Sequence, residues 1–121
     1  MTTALATATA TDLARVELRT SDGWVPVCDR DRLVPGRGVA VLLPDGSQAA
    51  VFTDRQGRVY AIANRDPFTG AYVLSRGLLG STPDGRVYVA SPLLKQRFDL
   101  ATGECLDDEA VTVAAHPARV V

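Results

Sequence analysis

The residue types best suited to chemistry in this chain sit in two short stretches. The first, NRDPFTG at residues 64–70, places Asn64, Arg65 and Asp66 ahead of Pro67, Phe68 and Gly70. The second, ASPLLKQRFDLATGEC at residues 90–105, repeats the style with Ser91, Pro92, bulky side chains and a Thr-Gly turn. Two such loops facing each other suit a ligand clamp, and the first ligand to weigh is a metal, whose protein donors are Cys, His and carboxylates. A count of donors decides against the iron–sulfur version. The chain holds one histidine, His116, and two cysteines, Cys28 and Cys105. A Cys₂His₂ cluster site needs two histidines and a Cys₄ site needs four cysteines, so one chain builds neither.

Other chemistries find no better footing. No nucleophile with a neighbouring base is visible, and no GxGxxG fingerprint for a dinucleotide is present. His116 precedes Pro117 near the end of the sequence and reads as a surface or strand-end residue, since general-base work needs a partnered geometry. Cys105 lies among Glu104, Asp107 and Asp108, an electronegative setting that opposes a reactive thiolate. Both cysteines are expected as reduced, buried thiols, and their mutual distance is open. Asp66 suits a turn that it stabilises with its own carboxylate, with a partner contact as the other reading. Phe68 is open between an exposed anchor and a core filler. Arg65, Arg76, Lys95 and Arg97 form either a basic rim that guides an acidic partner or scattered solvated charges.

The elements that must position these loops read as short strands separated by Gly, Asp and Pro turns. RVELRT (15–20) alternates. WVPVC (24–28) is extended, with Trp24 as a core or edge anchor and Pro26 marking an edge or strand end. DRDRL (29–33) is one short helical turn. GVAVLL (38–43) and QAAVFT (48–53) flank PDGS, a hairpin signal, and RVYAIAN (58–64) extends them into a meander. VYVAS (87–91), RFDL (97–100), VTVAA and ARVV complete the set, and YVLSRGLLG (72–80) has room for a helical turn cut short by two glycines. No helical period runs beyond ten residues. The pattern predicts an antiparallel sandwich or barrel. Because each loop follows a strand, both are expected at one end of a single sheet.

The bulk numbers fit one domain: 121 residues, 46% hydrophobic and 22% charged. A net charge of −1 supplies no electrostatic reason for nucleic acid or an anionic membrane as partner. MTTALATATATD lacks the basic start and apolar run of a signal peptide, so residues 1–12 are expected as a disordered Ala/Thr tail ahead of one β domain over 13–121. No window reaches the about 20 apolar residues of a membrane span, and the cytoplasm is the expected compartment.

The two loops together resemble the cluster-binding loops of a Rieske-type iron–sulfur domain. Ser91-Pro92-Leu93-Leu94, then Phe98-Asp99, then Thr102-Gly103 keep the frame of that family's second loop. Carried across by position, the resemblance places the four cluster ligands at Asp66, Phe68, Ser91 and Leu94, and all four have changed. Asp and Ser are poor ligands for iron–sulfur clusters, and Phe and Leu have no donor atom. Phe68 and Leu94 are then expected to pack where histidines would project, and the loops are expected to hold each other by packing and hydrogen bonds.

More narrowly, WVPVC (24–28), VYAIANRDPFTGAYVLSRGLLG (59–80) and VYVASPLLKQRFDLATGECLDD (87–108) are similar to the small subunit of assimilatory NAD(P)H-dependent nitrite reductase. That resemblance implies an all-β, Rieske-like antiparallel β-sandwich or barrel with two cluster-type loops but no cluster. It implies an accessory role beside a large subunit that reduces nitrite to ammonium and itself carries FAD, sirohaem and an iron–sulfur cluster, with no cofactor in this chain. Arg65, Phe68, Lys95 and Arg97 are the contacts expected to meet that subunit. NADH and NADPH stay undistinguished. The rival readings are a β-sandwich interaction module with its own ligand and a Rieske ferredoxin, the latter opposed by the ligand count.

Overall fold

The structure, a computed structural model, describes residues 14–121; the expected tail, residues 1–12, lies outside them. The strands are β1 (Arg15–Thr20), β2 (Gly23–Asp29), β3 (Val39–Leu42), β4 (Gln48–Thr53) and β5 (Val59–Ala63), then β6 (Leu78–Ser81), β7 (Val87–Ala90), β8 (Arg97–Asp99), β9 (Ala115–His116) and β10 (Ala118–Val120). They form three antiparallel sheets, ordered β10-β1-β2, β3-β4-β5-β9 and β6-β7-β8. The all-β expectation is met. Single 3₁₀ turns at Arg30–Arg32 and Leu74–Arg76 occupy two places where the sequence has room for a helical turn.

The middle sheet explains itself from the composition of β4. QAAVFT has no polar residue between Gln48 and Thr53, the pattern of a strand covered on both faces. Its odd and even positions separate into two cores. Ala49 and Val51 join Val16, Leu18, Leu33 and Val41 against the β1 sheet. Ala50 and Phe52 join Ile62, Leu74, Val89 and Phe98 against the β7 sheet. Burial of side chains such as Phe52 and Phe98 stabilises by roughly 1.5–3 kcal/mol each. The fold is therefore two thin cores sharing one central sheet.

Pro26 sits on β2, an edge strand, as its missing N–H demands. The register there slips from Val16↔Cys28 to Glu17↔Pro26, a bulge that leaves Val27 without an opposite residue. Trp24 is half-buried on the same strand, with the Arg119 guanidinium 4.2 Å from its ring centroid.

Two expectations need correction. Residues Leu78–Ser81 continue past the 3₁₀ turn as β6, paired with β7 in the register Leu78↔Ala90. Gly77 makes this pairing feasible: a Cβ there would lie 2.4 Å from the Ala90 carbonyl oxygen. The glycine read as a breaker is a place where two backbones approach. The two loops also leave different sheets. The first follows β5 in the middle sheet and the second follows β7 in the outer one.

Candidate functional site

Three segments of this chain fold into the same six-residue loop. DPFTGA (66–71), SPLLKQ (91–96) and DLATGE (99–104) each begin with Asp or Ser, residues whose short polar side chains bond their own turn. The backbone N–H of the first residue donates to the carbonyl of the sixth: Asp66 to Ala71 at 2.8 Å, Ser91 to Gln96 at 2.9 Å, Asp99 to Glu104 at 2.8 Å. The fifth residue donates back to the carbonyl of the first, at 2.7 Å from Gly70, 3.0 Å from Lys95 and 2.8 Å from Gly103. The third residue donates to the first side chain: Phe68 to Asp66 Oδ1 at 2.8 Å, Leu93 to Ser91 Oγ at 3.3 Å, Ala101 to Asp99 Oδ1 at 2.7 Å.

Closing this loop demands a left-handed fifth residue. Gly70 and Gly103 adopt it at φ of 80° and 81°. Lys95 adopts it too, at φ of 68°, the one non-glycine with positive φ among the described residues. A side chain there costs about 1–2 kcal/mol that glycine would not incur.

The first two loops are interlocked at their bases. Ser91 Oγ–H donates to Asp66 Oδ2 at 2.6 Å, and both residues are buried, 1% and 0% exposed. Asp66 thus uses one oxygen on its own loop and the other on the neighbouring loop, and the expectation that these loops hold each other is realised through these two side chains. Asn64, which sequence reasoning passed over, fixes the entry to the first loop. Its Nδ2 donates to Gln48 Oε1 at 2.9 Å, and its Oδ1 accepts from the Ser75 N–H at 2.7 Å. A buried amide can reach two elements at once, and only its position as the first residue after β5 hinted at that.

The other named residues divide. Phe68 stands at the tip of its loop, 36% exposed, with its ring centroid 6.3 Å from that of Phe98. It packs against the core at Phe98 and still faces outward. Leu94 is 57% exposed and does not pack inward, contrary to expectation. The loop tip has no layer of protein above it. Arg65 is exposed and reaches the Gly70 carbonyl with Nε at 3.3 Å. Arg97 is not a free rim cation. Its Nη2 lies 2.7 Å from Asp107 Oδ1, its Nε and backbone N–H donate to Asp107 Oδ2 at 3.2 and 2.8 Å, and its guanidinium lies over Tyr88. That hydrogen bonding holds the Asp107 carboxyl below its ordinary range. In the third loop burial pushes the Asp99 carboxyl up, but Arg86 and the N–H groups of Thr102 and Ala101 outweigh it, leaving it depressed.

Two concave surfaces lie apart from the first two loops. A groove of about 480 Å³ runs between β6 and the turn after β4, and a depression of about 260 Å³ is lined by Arg19, Asp45 and His116. Neither includes a residue of 64–71 or 91–96. Cys28 is half-buried and Cys105 buried, both unpaired, and they belong to different cores. Burial pushes the Cys28 thiol up.

Comparison with known proteins places this geometry in context. Residues 23–121 match the Rieske-like [2Fe-2S] domain family. The chain is 46% identical over 98 residues to the nitrite reductase (NADH) small subunit of Salmonella typhimurium, covering 80% of this chain and 89% of that protein. A crystal structure assigned to the NADH-dependent nitrite reductase small subunit of Mycobacterium tuberculosis matches with a TM-score of 0.72 at 56% identity, covering 74% of this chain and 79% of that one. A stretch making up 10% of the nitrite reductase [NAD(P)H] large subunit of Klebsiella oxytoca is 41% identical over 98 residues, covering 80% of this chain.

The [2Fe-2S] group implied by the broader family does not fit the residues that the resemblance places at its positions. Asp66 and Ser91 are hydrogen-bonded to each other at 2.6 Å, which leaves no room for iron between them. Phe68 and Leu94 carry no donor atom. Among the described residues no group of three or more His, Cys, Asp or Glu side chains is placed to hold a metal ion.

Proposed function

This chain belongs to the Rieske-like family of nitrite reductase small subunits, and from that premise we propose that it is the accessory subunit of an NAD(P)H nitrite reductase. It supports reduction of nitrite to ammonium by a separate large subunit. FAD, sirohaem and the iron–sulfur cluster reside in that large subunit; this chain supplies no cofactor and no catalytic group of its own. The observation that carries the reading is the Asp66–Ser91 lock, which keeps two cluster-type loops in shape by hydrogen bonding alone and leaves their tips facing outward. The stretch of similar sequence inside the Klebsiella oxytoca large subunit supports the choice of partner, because there such a module is part of the large chain.

Residues 13–121 act as one docking module, with residues 64–70 and 91–98 as the contact surface. Arg65, Phe68 and Lys95 meet the large subunit, and Arg97 braces the second loop through Asp107. No helix among the described residues is long and apolar enough to cross a membrane. The complex works in the cytoplasm, where reduced nicotinamide is available, and needs neither nucleic acid nor lipid.

The test is co-purification of the tagged chain from cells grown on nitrite, with an absorbance spectrum and identification of its companion. A colourless chain that brings down a sirohaem-coloured large subunit is the expected result. A chain that purifies alone with its own iron–sulfur absorbance would overturn the proposal.

A further inference from the structure

Resting on that reading, we infer that Lys95 determines specificity at the large-subunit interface, seating its ammonium against a carboxylate that edges an apolar seat on that subunit. The first ground is the comparison among the three loops. Their backbones close alike, yet the left-handed position is Gly70, Gly103 and Lys95. Glycine suffices for the geometry twice, so the lysine adds nothing to loop closure and opposes it. A strained, exposed side chain at a loop tip has its use outside the fold. Lys95 is also the only lysine of the chain, and it makes no ion pair among the described residues.

The second ground is charge. Segments 64–81 and 90–97 carry four cations, Arg65, Arg76, Lys95 and Arg97, against one anion, Asp66. The anion is buried and bonded to Ser91, and Arg97 is committed to Asp107. Arg65, Arg76 and Lys95 remain without an ion pair among the described residues, in a chain whose net charge is −1. The complementary surface is acidic.

The third ground is the apolar exposure of the same segments. Of nine large hydrophobic residues exposed among the described residues, five lie in these segments: Phe68, Tyr72, Leu78, Leu93 and Leu94. Leu78, 77% exposed, stands opposite Ala90 in the β6–β7 register, one residue before Ser91. Phe68 and Leu93 hold equivalent tip positions on loops joined at their bases. Exposed apolar side chains in segments that also carry unpaired cations mark a protein contact, and phosphate-rich partners would not call for the apolar side chains.

The experiment measures binding of the full chain to the purified large-subunit holoenzyme at about 50 and about 500 mM salt, together with melting of the free chain. Lys95→Gly and Lys95→Asn both keep the left-handed backbone accessible. They are expected to melt no lower than the natural chain yet bind at least about tenfold more weakly at low salt, with the gap narrowing at high salt. Leu94→Ser is expected to weaken binding at both salts. If both Lys95 variants bind as the natural chain does at low salt, the inference is overturned while the accessory-subunit reading stands. If the natural chain does not bind the holoenzyme at all, that reading fails, and the inference with it.

Discussion

Asp66 and Ser91, 25 positions apart, share one buried hydrogen bond of 2.6 Å, and it is the direct side-chain link between the bases of the two loops. The resemblance to cluster-bearing domains puts metal ligands at these two positions. Here a carboxylate and a hydroxyl hold the same approach with no third party, and the energetics change accordingly. A metal site stabilises by ligation; this pair stabilises by keeping a buried carboxylate satisfied.

We predict that Ser91→Ala destabilises the chain by about 1–3 kcal/mol, because it leaves one Asp66 oxygen buried without its partner. Urea unfolding followed by circular dichroism measures this. An unchanged midpoint would mean that the lock contributes nothing to stability.

Arg65 and Arg97 should separate under charge reversal. Arg65→Glu is expected to leave the melting temperature of the free chain within error and to weaken large-subunit association. Arg97→Glu is expected to lower the melting temperature, because it places a carboxylate against Asp107 and removes two side-chain hydrogen bonds; the backbone N–H bond to Asp107 is left beside a repelling charge. Equal melting curves for the two variants would contradict the division drawn between them.

Acid sensitivity follows from Asp99 and Asp107. Both folded-state values are depressed below the ordinary Asp value of 3.8. Their contribution is therefore fully present above that value and is lost as the pH falls through the depressed range. Urea midpoints are expected to be flat from neutral pH to about 5 and to fall steeply below about 4. Asp99→Asn should be less stable at neutral pH and show a shallower acid slope. A slope identical to that of the natural chain would remove Asp99 from this account.

Gly77→Ala is expected to cost about 1–3 kcal/mol, because its Cβ would lie 2.4 Å from the Ala90 carbonyl oxygen and 2.5 Å from Val89 Cγ2. The strain falls between β6 and β7, so amide exchange should accelerate first at Leu78–Ser81. Unchanged protection there would show that the close approach is relieved elsewhere.

Much of this protein was legible in the sequence because the signals were local. Turn pairs such as PDGS set the β3–β4 hairpin, and Pro26 marked β2 as an edge or a strand end. The style shared by DPFTG and SPLLKQ was visible as well, since Asp, Ser and Pro act on their own turns. A count of Cys and His spoke against a cluster before any coordinates, because ligand number needs no geometry. What the sequence left open depended on partners distant in the chain. Leu78–Ser81 became a strand because β7 lies alongside it, which no window around Gly77 reveals. Arg97 lost its place on the rim to Asp107, ten residues on, and Leu94 stayed outside because no layer covers the loop tips. That Ser91 would meet Asp66, and that Lys95 would stand where its sister loops have glycine, were decided only when the two sheets packed: hydrogen bonds and packing act over a few ångströms, and the chain brings those atoms together only in its tertiary fold.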